Sequence, residues 1–581
     1  MKPRLALILS CALAPSLAFV ACSSEQGGGT TSTTGASGGS APDAGADTGS
    51  DAAPSVCADL GLTSHPFVTA GTGKNRGDVA ADFTLPLVDG TSWTLSAEAT
   101  GCDTYVFLPD ILTVSQTNPE SIWDHDLPTL VKTSPKNVHY FFVSLASSDA
   151  DAATSTQAMA GRVSALVDAD GGLAAADQAW WKSRLHVVSG RGQTLGGWVS
   201  DTLLGWGQVG FAIDRRQRLR GVGALSDVTR QEPNAPMGDW PFDSNLAYAA
   251  NEVLYMNAQS DELDRLDAES ATVVPVLTGG VIAGDGYADV ALPSDLSQFD
   301  TLEVEVTMAC PDPTAIEFNS CGAWDYIAQL FLDTTDVDAG PGDAGDDGGD
   351  AGAPLVETEL GRFITSYHRE THWVEDITPV LPLLAGPGLR HFHYAYAPPW
   401  NMQPTGVTLS LRFSSRKKGY VPSTLTPIAT GGTFNDQYNA GRMPVSVPIP
   451  ADTKHAEVWM IVTGHGSDSH QCGEFCDSEH RFTVNGSANT WTVSFSQAGT
   501  ESGCMPEMKN GMVPNQGGTW WYGRDGWCPG EQVDPHVWDV TSIAAPGTTA
   551  TVTYEGLLYN GTPPADGTGN IVLTSYLVTY H

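Results

Sequence analysis

The sequence predicts a multidomain protein in which an α/β unit is followed by antiparallel β-sandwiches. Three observations carry that expectation. At 581 residues the chain has length for several domains. Residues 57–268 interleave apolar strand-like runs with helical stretches, the alternation of an α/β domain. From residue 272 to His581 the texture changes to short period-two strands punctuated by Gly, Pro and Asn, which marks sandwiches or jelly rolls.

Taken in order, the chain opens with MKPRLALILSCALAPSLAFVAC, where Lys2 and Arg4 precede an apolar run too short to span a bilayer. That is an export signal over residues 1–22, and Ala21-Cys22-Ser23 has the form of a lipobox that would leave lipid on Cys22. Cleavage after Ala18 is the alternative. Residues 23–56 are mostly Gly, Ser, Thr, Ala and Asp with little to bury, a disordered tether. The expected location is the cell envelope, facing an oxidising space, with the membrane touched only through the lipid. A formal net charge of −39 argues against nucleic acid or an anionic bilayer as partner, because both need a basic footprint. A monomer is expected.

Of ten cysteines, Cys11 leaves with the signal and Cys22 is the anchor, so eight remain. An even number in an exported chain favours disulfides. Local pairing predicts Cys310–Cys321, Cys472–Cys476 and Cys504–Cys528, and leaves the pairing of Cys57 and Cys102 open. A zinc site of His470, Cys472, Cys476 and His480 is the competing reading, but its spacing is not that of a finger.

Within 57–268, TYVFLPD, NVHYFFVSL and VGFAIDRRQRLRGVG read as strands, and DQAWWKSRL and the stretch from Asn245 as helices. The opening RGDVAADFTLPLVDGTSWTLS and the late FAIDRRQRLRG resemble the redoxin branch of the thioredoxin-like fold. Where that family carries its reactive cysteine, this chain has Pro109-Asp110-Ile111-Leu112, so no thiol chemistry is expected. The unit reads as a scaffold, a spacer or a docking surface.

VTLSLRF, PVSVPI, EVWMIVTG, HRFTVNG, ATVTYEG and IVLTSYLVTY are strands of the second texture. The stretch is too long for one sandwich, so two are expected, over 272–418 and 419–581, with the join between Lys417 and Pro422. An acidic low-complexity insertion, 336–354, interrupts the first; it lacks the ligand spacing of a calcium loop and reads as a solvated one.

TLEVEVTM puts Leu302, Val304, Val306 and Met308 on one face of a half-buried strand, and Glu303, Glu305 and Thr307 on the other. Tyr326, Ala328, Leu330 and Leu332 alternate likewise, and the excursion between the two strands delivers Trp324 and Asp325. Later, TGHGSDSHQCGEFCDSEHRFTVNG carries Glu474 between its cysteines, in a loop expected between Val462 and Arg481. GCMPEMKNGMVPNQGGTWWYGRDGWCPG brackets Arg524 and Trp527. Acids that move protons, a cation that clamps oxygen and indoles that stack on sugar faces are the inventory of a carbohydrate-processing site. Each residue also has a plainer account. Asp325 could be a solvated strand-end acid, Glu474 a partner of Arg481, and Arg524 a partner of Asp525.

CPDP…CGAWD, GRFITSYH (361–368), TGHG…CGEFC and GC…GRDGWCPG, in that order, resemble the bacterial peptide-N-glycosidase F amidases across residues 272–581. The resemblance implies two antiparallel β jelly-roll sandwiches packed side by side, with the site at their interface, behind the α/β thioredoxin-like domain. It implies hydrolysis of the amide between Asn and the first GlcNAc of N-linked glycans, on a glycoprotein or glycopeptide substrate, with no cofactor and no metal. By it Asp325 is the principal catalytic acid and Glu474 its partner, while Arg524, Trp527 and Trp324 bind substrate.

The chain departs from the family's pattern in places. Tyr326 stands where the family has Arg, Tyr394 at a third acidic position and Tyr396 at a nearby Trp. His465 replaces the Trp of the family's SGWGH, and Ser467 its His. Tyr394, Tyr396 and His465 would then form an altered sugar-binding wall. Two other readings compete. One is a glycan-binding protein without turnover. The other is a two-jelly-roll copper oxygenase, prompted by His391-Phe392-His393, whose imidazoles share one strand face and read more simply as solvent-facing.

Overall fold

Every residue of Thr104–Pro109 and of Val138–Ser144 is buried, and unbroken runs of that kind belong to strands covered on both faces. The computed structural model describes residues 56–111, 120–168, 172–231, 242–335, 355–466, 473–565 and 569–581. The expected signal (1–22), the Cys22 anchor, the tether up to residue 55 and the acidic insertion 336–354 lie outside the described residues. Among the described residues no helix is long and apolar enough to cross a membrane.

A hairpin of β1 (Thr84–Pro86) and β2 (Ser92–Thr94) opens the first unit. Its central sheet holds β3 (Thr104–Pro109), β4 (Val138–Ser144), β5 (Leu185–Arg191), β6 (Phe211–Ile213) and β7 (Leu219–Arg220) in the order β5-β4-β3-β6-β7. β3, β4 and β5 are parallel; β6 and β7 add antiparallel. Period two sorts the side chains of β3. Val106 and Leu108 pack on Met159 of helix Asp149–Val167 and Val253 of helix Ala249–Ala268, while Tyr105 and Phe107 pack on the hairpin and on Trp198 and Leu203. A ribbon of β8 (Ser226–Gln231) and β9 (Phe242–Ser244) follows. Cys57 and Cys102 form a disulfide, which settles the pairing the sequence left open.

The first sandwich contains β10 (Ala271–Ile282), β11 (Asp285–Ala291), β12 (Thr301–Ala309), β13 (Ile327–Thr335), β14 (Leu355–Ile364), β15 (Thr371–Asp376), β16 (Leu389–Ala395) and β17 (Thr405–Ser414). The second contains β18 (Pro422–Thr433), β19 (Val445–Pro448), β20 (His455–His465), β21 (Ser478–Val484), β22 (Thr490–Ser494), β23 (His536–Asp539), β24 (Thr549–Leu558) and β25 (Asn570–Tyr580). The sheets are β10-β17-β12-β15 on β11-β16-β13-β14, then β18-β25-β20-β23 on β19-β24-β21-β22. Numbered within each sandwich, both read 1-8-3-6 over 2-7-4-5, which is jelly-roll order.

Leu302, Val304, Val306 and Met308 point into the first core, in keeping with their alternation. The half-buried strand expected there needs correction, since Glu303 on the other face is only 4% exposed. Helix Ala249–Ala268 lies over it: Arg265 reaches Glu303 at 2.8 Å, and Arg412 donates to the Leu266 carbonyl at 3.2 Å. The rolls meet through an apolar seam in which Trp459, Ile461, Tyr576 and Val578 join the core around Leu330, Leu360 and Phe363. Arg362 is fully buried in that seam, paired bidentately with Glu359 and donating to Val572 O at 2.7 Å and Thr463 Oγ1 at 2.8 Å. A buried guanidinium is tolerable only when its donors are met in this way.

Candidate active site

Each roll contributes one acid from the connection between its third and fourth strands: Asp325 from β12–β13 and Glu474 from β20–β21. The first connection is closed by the Cys310–Cys321 disulfide. Beyond it, Tyr326 N donates to Thr365 Oγ1 at 2.8 Å and Thr365 Oγ1 donates to Trp324 O at 2.6 Å, so the backbone on both sides of Asp325 is held by one hydroxyl. In the second roll β20 continues to His465, past the Val462 end expected, and β21 begins at Ser478. Glu474 N donates to Gly466 O at 2.9 Å, and Asp525 N donates to Glu474 O at 2.8 Å. Cys476 is disulfide-bonded. Cys472, Ser467 and His470 lie outside the described residues. The third loop is closed by Cys504–Cys528 and carries Arg524.

Arg524 brings the acids together. Its Nη2 lies 3.5 Å from Asp325 Oδ2 and its Nε 3.4 Å from Glu474 Oε1. The plainer pairings expected from sequence do not form: Arg481 takes Glu479 and Glu555, while buried Asp525 accepts from Ser478 N at 3.0 Å and Ser478 Oγ at 2.9 Å. Burial pushes Asp325 above the usual carboxylate range, opposed by the charge of Arg524 and a hydrogen bond from Tyr367. Burial likewise pushes Glu474 up to about 7, with Arg524 opposing and the charge of Asp325 adding to the rise. Two carboxyls, both raised by burial and both beside one cation, can divide the roles of acid and base between them.

Tyr367 is the partner that sequence reasoning missed, although it sits inside the GRFITSYH motif. Its phenol is raised well above its ordinary value by burial and then by the Asp325 charge. The turn Ser366–Arg369 presents it, with Ser366 Oγ donating to Arg369 O at 2.6 Å and Tyr367 N donating to Gln516 Oε1 at 2.8 Å.

Several expected substrate contacts are corrected by burial. Arg524 is 1% exposed. Its Nη1 donates to Thr519 O and Tyr522 O, and its Nη2 to Thr519 Oγ1, so both terminal nitrogens are engaged by the protein while Nε makes no hydrogen bond. Trp527 is 3% exposed, donates Nε1 to Gly464 O at 2.7 Å and backs the Arg524 guanidinium at 5.3 Å. His465 stacks on Trp527 at 5.0 Å and is lowered to about 3 by burial and then by the Arg362 charge. Tyr394 and Tyr396 belong to the first core, where Tyr394 donates to Met308 Sδ at 3.4 Å and Tyr396 to Ile282 O at 2.6 Å. Tyr394 and Tyr396 therefore form no wall, while His465 is half-buried against Trp527.

The exposed aromatics are different ones. Trp324 is 50% exposed and Trp400 is 81% exposed. Between them Tyr326 lies 6.4 Å from Trp324, stacked, and 6.3 Å from Trp400, edge-on. Asn401 Nδ2 donates to the Tyr326 hydroxyl, and Gln403 Oε1 accepts from Ala323 N at 2.8 Å, so the Trp400 segment is tied to the Asp325 segment. Trp400 follows a Pro-Pro pair, a loop signal that gave no reason to single out its indole.

The H-x-H pair lies apart from this site. His391 is exposed beside Asp289, but the solvent-facing expectation fails for His393, which the Tyr287 ring covers at 4.4 Å. Both His393 nitrogens meet carboxylates, Glu357 at 2.8 Å and Asp285 at 3.1 Å, and these hold its pKa above normal although burial opposes the charge. Asp333, Glu357 and His393 could converge on a metal ion, with ligand atoms within 4.8 Å of one another. His480 is buried against Ser478 and Tyr554 rather than in a zinc cluster.

Two jelly rolls sharing a carboxylate pair at their border define a two-sandwich protein with one composite site. Residues 433–578 match the family model described as "Peptide-N-glycosidase F, C terminal". The curated peptide-N(4)-(N-acetyl-beta-D-glucosaminyl)asparagine amidase F of Elizabethkingia miricola is 22% identical over 295 residues, covering 47% of this chain and 73% of that protein. These matches make the two-sandwich part of the chain similar to the peptide-N-glycosidase F family. Among solved structures, PNGase F of Flavobacterium meningosepticum aligns at 18% identity and a TM-score of 0.39 over 54% of this chain and 96% of that one. A crystal structure of peptide-N(4)-(N-acetyl-beta-D-glucosaminyl)asparagine amidase aligns at 18% identity and a TM-score of 0.40, with coverage of 54% and 96%.

Proposed function

We propose that this protein is a glycoamidase that hydrolyses the amide between Asn and the first GlcNAc of N-linked glycans on glycoproteins or glycopeptides. The observation that carries the reading is the Asp325–Arg524–Glu474 bridge, which brings acids from two rolls to one buried guanidinium. In this reading Asp325, oriented by Tyr367 and Arg524, takes a proton from a water that attacks the side-chain carbonyl carbon. Glu474, which keeps its proton to about 7, supplies one to the nitrogen as the C–N bond breaks. Asn leaves as Asp, and the sugar leaves as a glycosylamine. No step calls on a metal or cofactor. The Trp324, Tyr326 and Trp400 rings supply the stacking surface for sugar, in place of the wall expected at Tyr394, Tyr396 and His465.

The α/β unit is read as a thioredoxin-like scaffold without redox chemistry, since its two cysteines, Cys57 and Cys102, are bonded to each other. The disulfides fit an oxidising, envelope-facing location, with Cys22 as lipid anchor. The test is incubation with a denatured N-glycoprotein and mass analysis. Asn converted to Asp at glycosylated sites is the result expected; intact linkages after long incubation overturn the reading. Tyr326 at the family's arginine position favours a second outcome of the same test, glycopeptide retention without release.

A further inference from the structure

The α/β unit reaches the site through a buried charged node. Arg369 is two residues beyond Tyr367 in the turn that presents it, and its side chain is 4% exposed. It pairs bidentately with Glu252 of helix Ala249–Ala268, Nη1 to Oε1 at 2.9 Å and Nη2 to Oε2 at 3.1 Å. Its Nε meets Glu317 of the Cys310–Cys321 loop at 2.6 Å, and its Nη1 also donates to Pro514 O at 2.7 Å in the Cys504–Cys528 loop. Asn515 of that loop donates Nδ2 to Glu252 Oε1 at 2.8 Å. One carboxylate of the α/β unit is therefore bonded to the Tyr367 turn and to the Arg524 loop, and through Arg369 it reaches the Asp325 loop.

Two further observations bear on the same contact. Arg76, from the first unit, donates Nη1 to Ala315 O and Nη2 to Asp312 O at 2.6 Å, and pairs with Glu370 at 3.0 Å, so it grips the Asp325 loop from outside. Facing the node, the segment after β7 carries Gly221 and Gly223. A Cβ at Gly221 would collide with the Glu317 carboxylate, and one at Gly223, whose φ is +58°, with Arg369 and Asn515 O. The α/β surface is shaped to admit these side chains.

We propose that Glu252 and Arg76 are positioning residues for the acid pair, and that the α/β unit is a working part of the site rather than a spacer. Neither side chain touches the reacting atoms; both act through the Tyr367 turn and the Asp325 loop. The kinetic arm of this inference rests on the amidase reading, and a second arm does not.

The test compares full-length Glu252→Gln with Val163→Ala, a core truncation in another helix of the same unit. Glu252→Gln keeps volume and removes the charge that fixes Arg369. The expected result is a kcat lower by about tenfold or more with KM within about twofold, and an acid limb of the pH profile moved to higher pH as Tyr367 loosens from Asp325. Val163→Ala lowers the melting temperature and leaves kcat in place. In hydrogen exchange, peptides covering 310–325 and 364–370 should exchange faster in Glu252→Gln and not in Val163→Ala. Unchanged exchange of those peptides, or a loss of kcat that merely follows the melting temperature in both variants, overturns the proposal. If the parent protein releases no glycan, the amidase reading falls, and the exchange comparison alone decides this one.

Discussion

Arg524 Nη2 lies 3.5 Å from Asp325 Oδ2, although 199 residues separate them in the chain. The same guanidinium lies 3.4 Å from Glu474. Both of its terminal nitrogens are engaged by the protein, and its charge opposes the rise of both acids. That arrangement makes the protonation of the two acids the property most open to experiment.

Glu474 holds its proton up to about 7 in the fold, against an ordinary value of 4.5. Between those values the folded state binds more protons than the unfolded chain, so this group's contribution is whole below pH 4.5 and lost as pH rises through 7. Glu474→Gln is expected to be more stable than the parent at about pH 8, by up to about 3 kcal/mol, and close to it near pH 4.5. Thermal melts at the two pH values check the sign.

Asp325→Asn is expected to lower kcat by about 10²–10⁴-fold, the usual range for a lost general base, with the fold intact. Tyr367→Phe removes one hydrogen bond to the ionised acid and should cost about tenfold in kcat/KM. Because that bond lowers Asp325, its loss raises the Asp325 pKa and moves the acid limb of the rate profile to higher pH. A Tyr367→Phe profile superimposable on the parent's would remove Tyr367 from the site.

Arg524→Met leaves two carboxylates covered without their cation. A destabilisation of about 3–5 kcal/mol is expected at neutral pH. It should shrink in acid, where both groups are neutral. Urea unfolding at two pH values measures this, and an equal loss at both would mean that Arg524 matters for packing alone.

Trp400→Ala removes an indole that is 81% exposed, so stability should move little. If the ring stacks on sugar, KM for glycopeptides should rise by about fivefold to tenfold with kcat unchanged, the scale of about 1 kcal/mol or slightly more. Steady-state kinetics on one glycopeptide are sufficient, and an unaltered KM would take Trp400 off the binding surface.

That disulfide-closed loops would carry Asp325 and Glu474 was legible from local cysteine spacing and period-two strands, whereas pairing the two acids rested on the family resemblance. The sandwich texture was legible for the same reason. Tyr394 shows a signal present but outweighed. Its alternation with Phe392 already put it on the inward face of β16, and the structure buries both. The engagement of Arg524 Nη1 was not legible, since both of its acceptors are backbone carbonyls brought in by the loop's own path. The covered outer face of β12 was also out of reach, because it depends on a helix from another unit.

The two acids occupy corresponding connections of two sandwiches with one strand order, so neither sandwich holds both of them. Their separation is a function of the angle at which the pair dock. A slight shear along the seam around Arg362 would tighten or relax the distance between the carboxyls, and shift their affinity for protons, with no change in either partner's interior. Tuning of this kind could arise from substitutions far from any reacting atom, wherever they alter how the neighbours lean on one another.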